Sequence, residues 1–389
     1  MNKRDPEYAK RLLALRDFNM YQYLIKTKHM NYKTLGRSGL RVSPLCLGGM
    51  TFGEDWGWGA GEAESEKMIQ RFTELGGNFI DTANVYTNNH SEKIIGNVIG
   101  SHSSIRAGMV LATKFGMNVF PGNPNGGGNG TKAIMENVHH SLRRLQTDYI
   151  DLLWIHAWDW NTPLEETMRT MNDLVSAGKV RYIGVSGAPA WKIAQSQMFA
   201  QFRGWAPFIG LQINYSLLER TVEAELVPMA MEMGLGIITW SPLQGGLLSG
   251  KYNRGNNGIV KDSRMQVTGQ EAPLKEHELA IIDKLEEIAE DHRTTEAAVA
   301  LAWVLSRPGV CATITGVRNI TQLEANAAAI SIVLTDDEIT ALNNLSTPPV
   351  TFVNAHTSAT QMSQHGGIEI NGLKPPAWPQ TANMQVGKY

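Results

Sequence analysis

The chain has 389 residues, of which 42% are hydrophobic and 19% charged, with a formal net charge of −2. That balance supports a large buried core and excludes the strongly basic footprint of a nucleic-acid or anionic-membrane binder. No apolar run reaches bilayer-spanning length, and the opening MNKRDPEYAKRLLALRDF lacks the apolar core and cleavage site of a secretory signal, so a cytoplasmic protein is expected.

Residues 1–30 read as a charged N-terminal extension whose apolar core is LLAL. The segment YKTLGRSGLRVS alternates around a Gly turn and predicts a short β-hairpin. Apolar or β-branched runs then alternate with helical ones. The predicted strands are VSPLCLG, GNFIDT, MVLATK, YIDLLWIH, VRYIGVS, FIGLQIN, LGIITWS and CATITG. Among the helices, SEKMIQRFTELG stops at Gly76 and Gly77. TKAIMENVHHSLRRL has Thr131 available as its cap. PLEETMRTMNDLVSAG opens near Pro163 and closes on Gly178. Two cysteines, Cys46 and Cys311, lie in strand-like runs and suit core filling better than a disulfide.

Eight strands in strict alternation with helices predict an α/β fold, a closed (β/α)8 TIM barrel over residues 31–347. An open doubly wound sheet is the alternative, and it calls for a G-x-G-x-x-G turn after its first strand. Here GGMTFGEDW has different spacing and no helix directly after it. Residues 348–389, rich in Thr, Ser, Asn, Gly and Pro, form a C-terminal tail.

Polar residues gather at one end of these strands. Asp81, Lys114, His156, Ser186, Gln212, Asn214, Trp240 and Gly316 all fall at C-terminal strand ends, which share one rim in a parallel barrel. Tyr86 follows Asp81 in the loop TANVY. A phenol ionises near pH ~10, but an ammonium beside it, held by a carboxylate, makes it a usable proton donor. Singly, each of these residues has an ordinary explanation; as a set on one rim they read as metal-independent carbonyl chemistry. No metal site is expected, since the adjacent His139 and His140 diverge on a helix and no Cys-x-x-Cys occurs. Trp56, Trp58, Trp158 and Trp160 fall near the rim and suit an aromatic-lined mouth or rim packing. The segment Pro121–Gly130 lacks the Gly-Lys-Ser/Thr ending of a phosphate loop and reads as a flexible rim loop or a plain linker.

At these residues the chain resembles the aldo-keto reductase superfamily, including its bacterial and aryl-alcohol dehydrogenase-like members and the related potassium-channel β-subunits. The segments that carry the resemblance include LGRSGLRVSPLCLGGMTFG, NFIDTANVY, LATKFG, LRRLQTDYIDLLWIH, LQINYSLLER, GIITWSPLQGGLLSGKY and ITGVRNITQLEAN. The resemblance implies a barrel that binds NADPH or NADP+ extended, without a Rossmann fold. It implies Tyr86 as general acid, Lys114 lowering the tyrosine's pKa, Asp81 pairing Lys114, and His156 orienting the carbonyl. Substrate would meet Tyr86, His156, Trp56, Trp58 and Trp158. It also implies cofactor contacts at Gly49, Met50, Asp81 and Gly187. Trp240 would stack on the nicotinamide, Ser186 and Gln212 would hold its carboxamide, and Ser241, Pro242 and Leu243 would form the pyrophosphate turn. Lys251 would meet the pyrophosphate, Arg318 the 2′-phosphate, and Gln322 and Asn326 the adenosine, beside Gly316.

Two positions depart from the pattern: Gly187 replaces a usual polar residue, and Ala325 replaces a usual Glu. Each removes a side-chain hydrogen bond of about 1 kcal/mol. The tail implied by the resemblance folds over the substrate cavity, with Phe352 and Trp378 as apolar anchors. The activity implied is interconversion of a small aldehyde or ketone with its alcohol; a cofactor-binding regulatory subunit with vestigial turnover is the alternative. The oligomeric state is left open.

Overall fold

Residues along most of the eight apolar runs are buried on both alternating faces, which suits strands wrapped inside helices. The computed structural model describes residues 30–379 apart from 101–103, 257, 262, 373, 377 and 378. The N-terminal extension up to residue 29 and the expected anchor Trp378 lie outside the described residues. Two compact units divide after Ser346.

The first unit begins with an antiparallel hairpin, β1 (Lys33–Thr34) and β2 (Arg41–Val42). Eight parallel strands follow: β3 (Leu45–Gly48), β4 (Phe79–Asp81), β5 (Val110–Phe115), β6 (Ile150–Ile155), β7 (Val180–Ser186), β8 (Phe208–Asn214), β9 (Gly236–Trp240) and β10 (Val310–Thr315). They close into a barrel in chain order, with β10 pairing β3. This is a (β/α)8 TIM barrel. Closure, which the open-sheet alternative forbids, leaves the strands without an edge.

Helices pack outside. They are α1 (Glu62–Glu74), α2 (His90–Ile99), α3 (Thr131–Arg144), α4 (Leu164–Ser176), α5 (Ala190–Arg203) and α6 (Leu226–Met233), then α7 (Arg264–Val267), α8 (Glu276–Asp291), α9 (Glu296–Leu305), α10 (Ile320–Ala327) and α11 (Asp336–Leu345). The second unit contains α12 (Phe352–His365), in which Phe352 stacks on His356. Two helix starts differ from the sequence reading. Helix α1 begins at Glu62, where its first-turn acids favour the exposed amides. Thr131 is not the cap of α3: Gly130 is, and Thr131 Oγ1 meets Thr170 Oγ1 at 2.7 Å, joining α3 to α4 instead.

Strand alternation sorts side chains between two cores. Leu111, Leu153, Ile183, Leu211 and Ile237 face the helices, whereas Cys46, Phe79, Ala112, Leu152, Trp154 and Ile238 fill the barrel interior. Leu35 and Val42 of the hairpin join that interior cluster and close one end of the barrel. Trp154 is the largest plug, and its neighbours are adapted to it. Trp154 pairs in register with Gly184, which pairs with Gly210. A Cβ on Gly184 would stand 2.3 Å from Trp154 Cζ3.

Gly184→Ala is therefore expected to destabilise the barrel by about 1–3 kcal/mol through overpacking. Thermal denaturation checks it, and the cost should shrink in a Trp154→Leu background. An equal cost in both backgrounds would remove Trp154 as the cause.

Candidate active site

Above the Trp154 layer, the next inward positions are polar. Two residues beyond Phe79, Ala112, Trp154, Gly184 and Gly210 come Asp81, Lys114, His156, Ser186 and Gln212. The period of the strand thus delivers five functional groups to one rim.

Lys114 lies at the centre, 1% exposed. Its ammonium forms an ion pair with Asp81, donates to Thr82 O at 2.8 Å, and donates to Tyr86 Oη at 3.2 Å. An ammonium has three donors, and all three are used. Asp81 accepts a further bond from Gln212 Nε2 at 3.0 Å. Burial alone opposes the charge on Lys114, but Asp81 and Tyr86 outweigh it and raise the pKa above its ordinary value. Burial pushes the Tyr86 phenol up; Lys114 pulls it down without cancelling the rise. Lys114 has the lowering influence expected of it, yet Tyr86 rests firmly protonated. His156 meets Tyr86 edge-on, with ring centroids 5.8 Å apart. Burial and then Lys114 hold its imidazole down to about 3, so it is neutral. Its Nδ1 is buried without a partner.

Backbone strain holds Tyr86 in place. The next three residues, Thr87, Asn88 and Asn89, have φ of 44°, 52° and 73°. Left-handed backbone is unfavourable for β-branched Thr in particular, at about 1–3 kcal/mol. Thr87 Oγ1 donates to Phe52 O and accepts from Ser91 N, while Asn89 Nδ2 donates to Asn84 O. Beyond the turn, Glu92 of α2 accepts from Thr113 Oγ1 on β5 and from Arg144 on α3.

A cavity of about 480 Å³ opens over this rim. It is lined by Met50, Trp58, Asp81, Tyr86, His156, Ser186, Gly187, Gln212 and Trp240, and continues along Ser241, Pro242, Leu243, Lys251, Gly316, Arg318, Gln322 and Asn326. Ala325 also lines it. Gly187 has φ +57°, a left-handed conformation that suits glycine. Gln322 Oε1 accepts from Arg318 N at 2.8 Å, and Asn326 Nδ2 donates to Thr315 Oγ1 at 2.6 Å. Lys251 is lowered by burial and by the charge of Arg318, which brings two cations to one end of the cleft. The strand-end turn is left-handed at Ser241, Gln244, Gly245 and Gly246. Tyr252, 1% exposed, lines the cavity with its Oη unpartnered.

Four residues expected at the rim do not line the cavity. Gly49 lies behind the wall: its carbonyl accepts from Ser91 Oγ at 2.7 Å, and a Cβ there would strike that hydroxyl. Trp158 packs, half-buried, against the core, with Lys192 Nζ of α5 5.6 Å from its ring. Trp160 packs on Trp191, also of α5. Trp56 is not in the cavity wall but bridges it, 6.3 Å from Tyr86 and 6.0 Å from Trp58 between ring centroids. Nor does any residue of Pro121–Gly130 line the cavity. That loop is pinned by Gly128 N to Gly116 O and by Asn129 to Ala157 and Asp159.

The structure adds residues that were not read from the sequence: Thr51, Tyr252, Thr295 and Arg264. Arg264 begins α7 after Ser263, whose Oγ accepts from Gln266 N as an N-cap. The direction of Arg264 depends on how the excursion between Trp240 and Arg264 folds back.

Comparison with known proteins agrees with this architecture. The sequence profile of the aldo/keto reductase family matches residues 44–347. An aryl-alcohol dehydrogenase of Pestalotiopsis microspora is 37% identical over 309 residues, 78% of each chain. A norsolorinic acid reductase of Emericella nidulans is 37% identical over 310 residues, again 78% of each. Versiconal hemiacetal acetate reductase of Aspergillus parasiticus is 36% identical, covering 80% of this chain and 95% of that relative. The chain belongs to the aldo/keto reductase family and is an oxidoreductase. No helix among the described residues is long and apolar enough to cross a membrane.

Asp81→Asn removes one partner of the buried pair and leaves Lys114 charged and enclosed. A loss of about 3–5 kcal/mol is expected in urea denaturation. Adding Lys114→Met should recover part of it, because the uncompensated charge is then gone.

Proposed function

We propose that this protein reduces an aldehyde or ketone to its alcohol with NADPH, using Tyr86 as proton donor. The observation that carries this reading is the Lys114 hydrogen bond to Tyr86 Oη. Because the phenol oxygen accepts from the ammonium, its own proton is left to donate elsewhere. Tyr86 gives that proton to the carbonyl oxygen, and Lys114 stabilises the phenolate that results. Asp81 keeps Lys114 charged. His156, neutral, donates one hydrogen bond to the same oxygen and sets the carbonyl's direction.

When bound, the dihydronicotinamide supplies the hydride that the carbonyl carbon receives. The cleft fits such a cofactor: an unpartnered Tyr252 hydroxyl and two neighbouring cations face it. Trp240 would stack on the nicotinamide, and Ser186 with the Gln212 carbonyl would hold its carboxamide. The turn Ser241–Leu243, with Lys251, is suited to the pyrophosphate, Arg318 to the 2′-phosphate, and Gln322, Asn326 and Gly316 to the adenosine end. Trp58, in the cavity wall and backed by Trp56, favours a flat substrate, in keeping with the aryl-alcohol and norsolorinic acid named for the relatives. A regulatory role with vestigial turnover has no observation in its favour.

Tyr86→Phe is expected to lower turnover by about 10²–10⁴ while NADPH still binds. Near wild-type turnover of an aryl aldehyde, followed at the NADPH absorbance band, would overturn the assignment. Arg318→Ala is expected to weaken NADPH by about ten- to a hundredfold and NADH far less, since a charged hydrogen bond contributes about 1.5–3 kcal/mol. Fluorescence titration of both cofactors decides it. The rate of reduction should stay level through the ordinary histidine range near pH ~6.5, because His156 is already neutral there, and fall as pH rises through the elevated pKa of Tyr86.

A further inference from the structure

Thr87 is wholly buried, yet its backbone is left-handed at φ 44°. That conformation is costly for a β-branched residue and easy for glycine. What threonine adds over glycine at this point is a hydroxyl, which donates to Phe52 O at 2.7 Å and accepts from Ser91 N at 3.0 Å. Phe52 is the base of the loop that carries Trp58. Gly53 N donates to Ala60 O and Ala60 N to Thr51 O, both at 2.8 Å, so residues 52–60 form a closed loop. Trp58 is the residue of this loop that lines the cavity, with Trp56 behind it. Two further contacts reach the loop from the Tyr86 turn: Trp56 meets Tyr86 edge-on, and His90 Nδ1 lies 3.2 Å from Asp55 Oδ2. The second is open to solvent and weak. The buried Thr87 bond is the firm one.

We propose that Thr87 is a positioning residue that determines specificity: its hydroxyl anchors the 52–60 loop to the turn bearing the proton donor and so fixes the spacing between the Trp58 wall and Tyr86. This rests on the reductase reading and names the residue that sets its substrate class, flat aryl carbonyl compounds over small aliphatic ones. A ring stacked on Trp58 gains from the wall only while that spacing is held. A short aliphatic aldehyde reaches Tyr86 and His156 without the wall. Loss of the anchor leaves Tyr86 itself held, because Lys114 and the bond from Asn89 to Asn84 remain. The effect therefore falls on the KM of aryl substrates more than on kcat.

The test compares benzaldehyde with propanal at saturating NADPH. Wild type should favour benzaldehyde in kcat/KM. Thr87→Gly removes the hydroxyl and accepts the left-handed backbone without strain, so the variant should fold. It should raise the KM of benzaldehyde about two- to tenfold, the measure of one buried hydrogen bond, and change propanal far less. Thr87→Ser keeps the hydroxyl and should keep the wild-type ratio. No preference in wild type, or an undiminished preference in Thr87→Gly, overturns the proposal. So do equal losses of kcat on both aldehydes, which would make Thr87 a support for Tyr86 alone. A ratio lost equally in Thr87→Ser also overturns it, since the hydroxyl would not be the cause.

A second measurement does not need turnover. Amide hydrogen exchange over residues 52–60 is followed by mass spectrometry in the protein without ligand. The bonded amides of Gly53 and Ala60 should exchange about two- to tenfold faster in Thr87→Gly and at the wild-type rate in Thr87→Ser. Unchanged exchange in Thr87→Gly overturns the anchor. If no aldehyde is reduced while exchange of this loop still depends on Thr87, the anchor stands and the reductase reading falls.

Discussion

The ion pair between Lys114 and Asp81 is the constraint on which the rim depends. Both side chains are almost wholly removed from water, and each charge alone would be strongly unfavourable there. Their attraction offsets the loss of hydration only because the remaining polar capacity is also used. Thr82 O and Tyr86 Oη complete the ammonium, and Gln212 occupies the second carboxylate oxygen. Three strand ends and one loop therefore have to agree in position before any of them is satisfied. A buried polar network of this kind favours one arrangement over its neighbours more than it adds net stability.

The loop bearing Tyr86 shows how that agreement is enforced. Three consecutive left-handed residues would relax if the loop were free. Hydrogen bonds to Phe52 and Asn84 hold the turn from within, and Glu92 ties the helix that follows to β5 and α3. Strain is thus stored beside the phenol and balanced by packing one helix away. The tyrosine is placed by the chain on either side of it rather than by contacts of its own ring alone.

Much of this was legible beforehand, for identifiable reasons. Strands buried on both faces write continuous apolar runs, so the barrel could be counted, and parallel closure put the strand-end residues together. Neighbours within loops were harder. Gly49 and Met50 are adjacent, yet a short turn sends one behind the wall and the other into the cavity. Trp58 and Trp158 look alike in sequence, but the loop after β6 rotates the second toward α5. The cap of α3 fell on Gly130 because the Thr131 hydroxyl found a partner on α4. Arg264 was unreadable since its direction comes from the docking of a long excursion and from no local period.

The filling of the barrel interior decides where change can occur. Beneath the rim, Trp154 presses on glycines of two neighbouring strands, and the hairpin closes the far end. No room remains for the cleft to deepen. Change must come in the loops above, where Trp58 comes from the first βα connection and Arg264 from the seventh. The buried polar network at the strand ends and the loop residues of the cavity wall are carried on separate parts of the chain, so a lineage or an engineer can redraw the second while leaving the first intact.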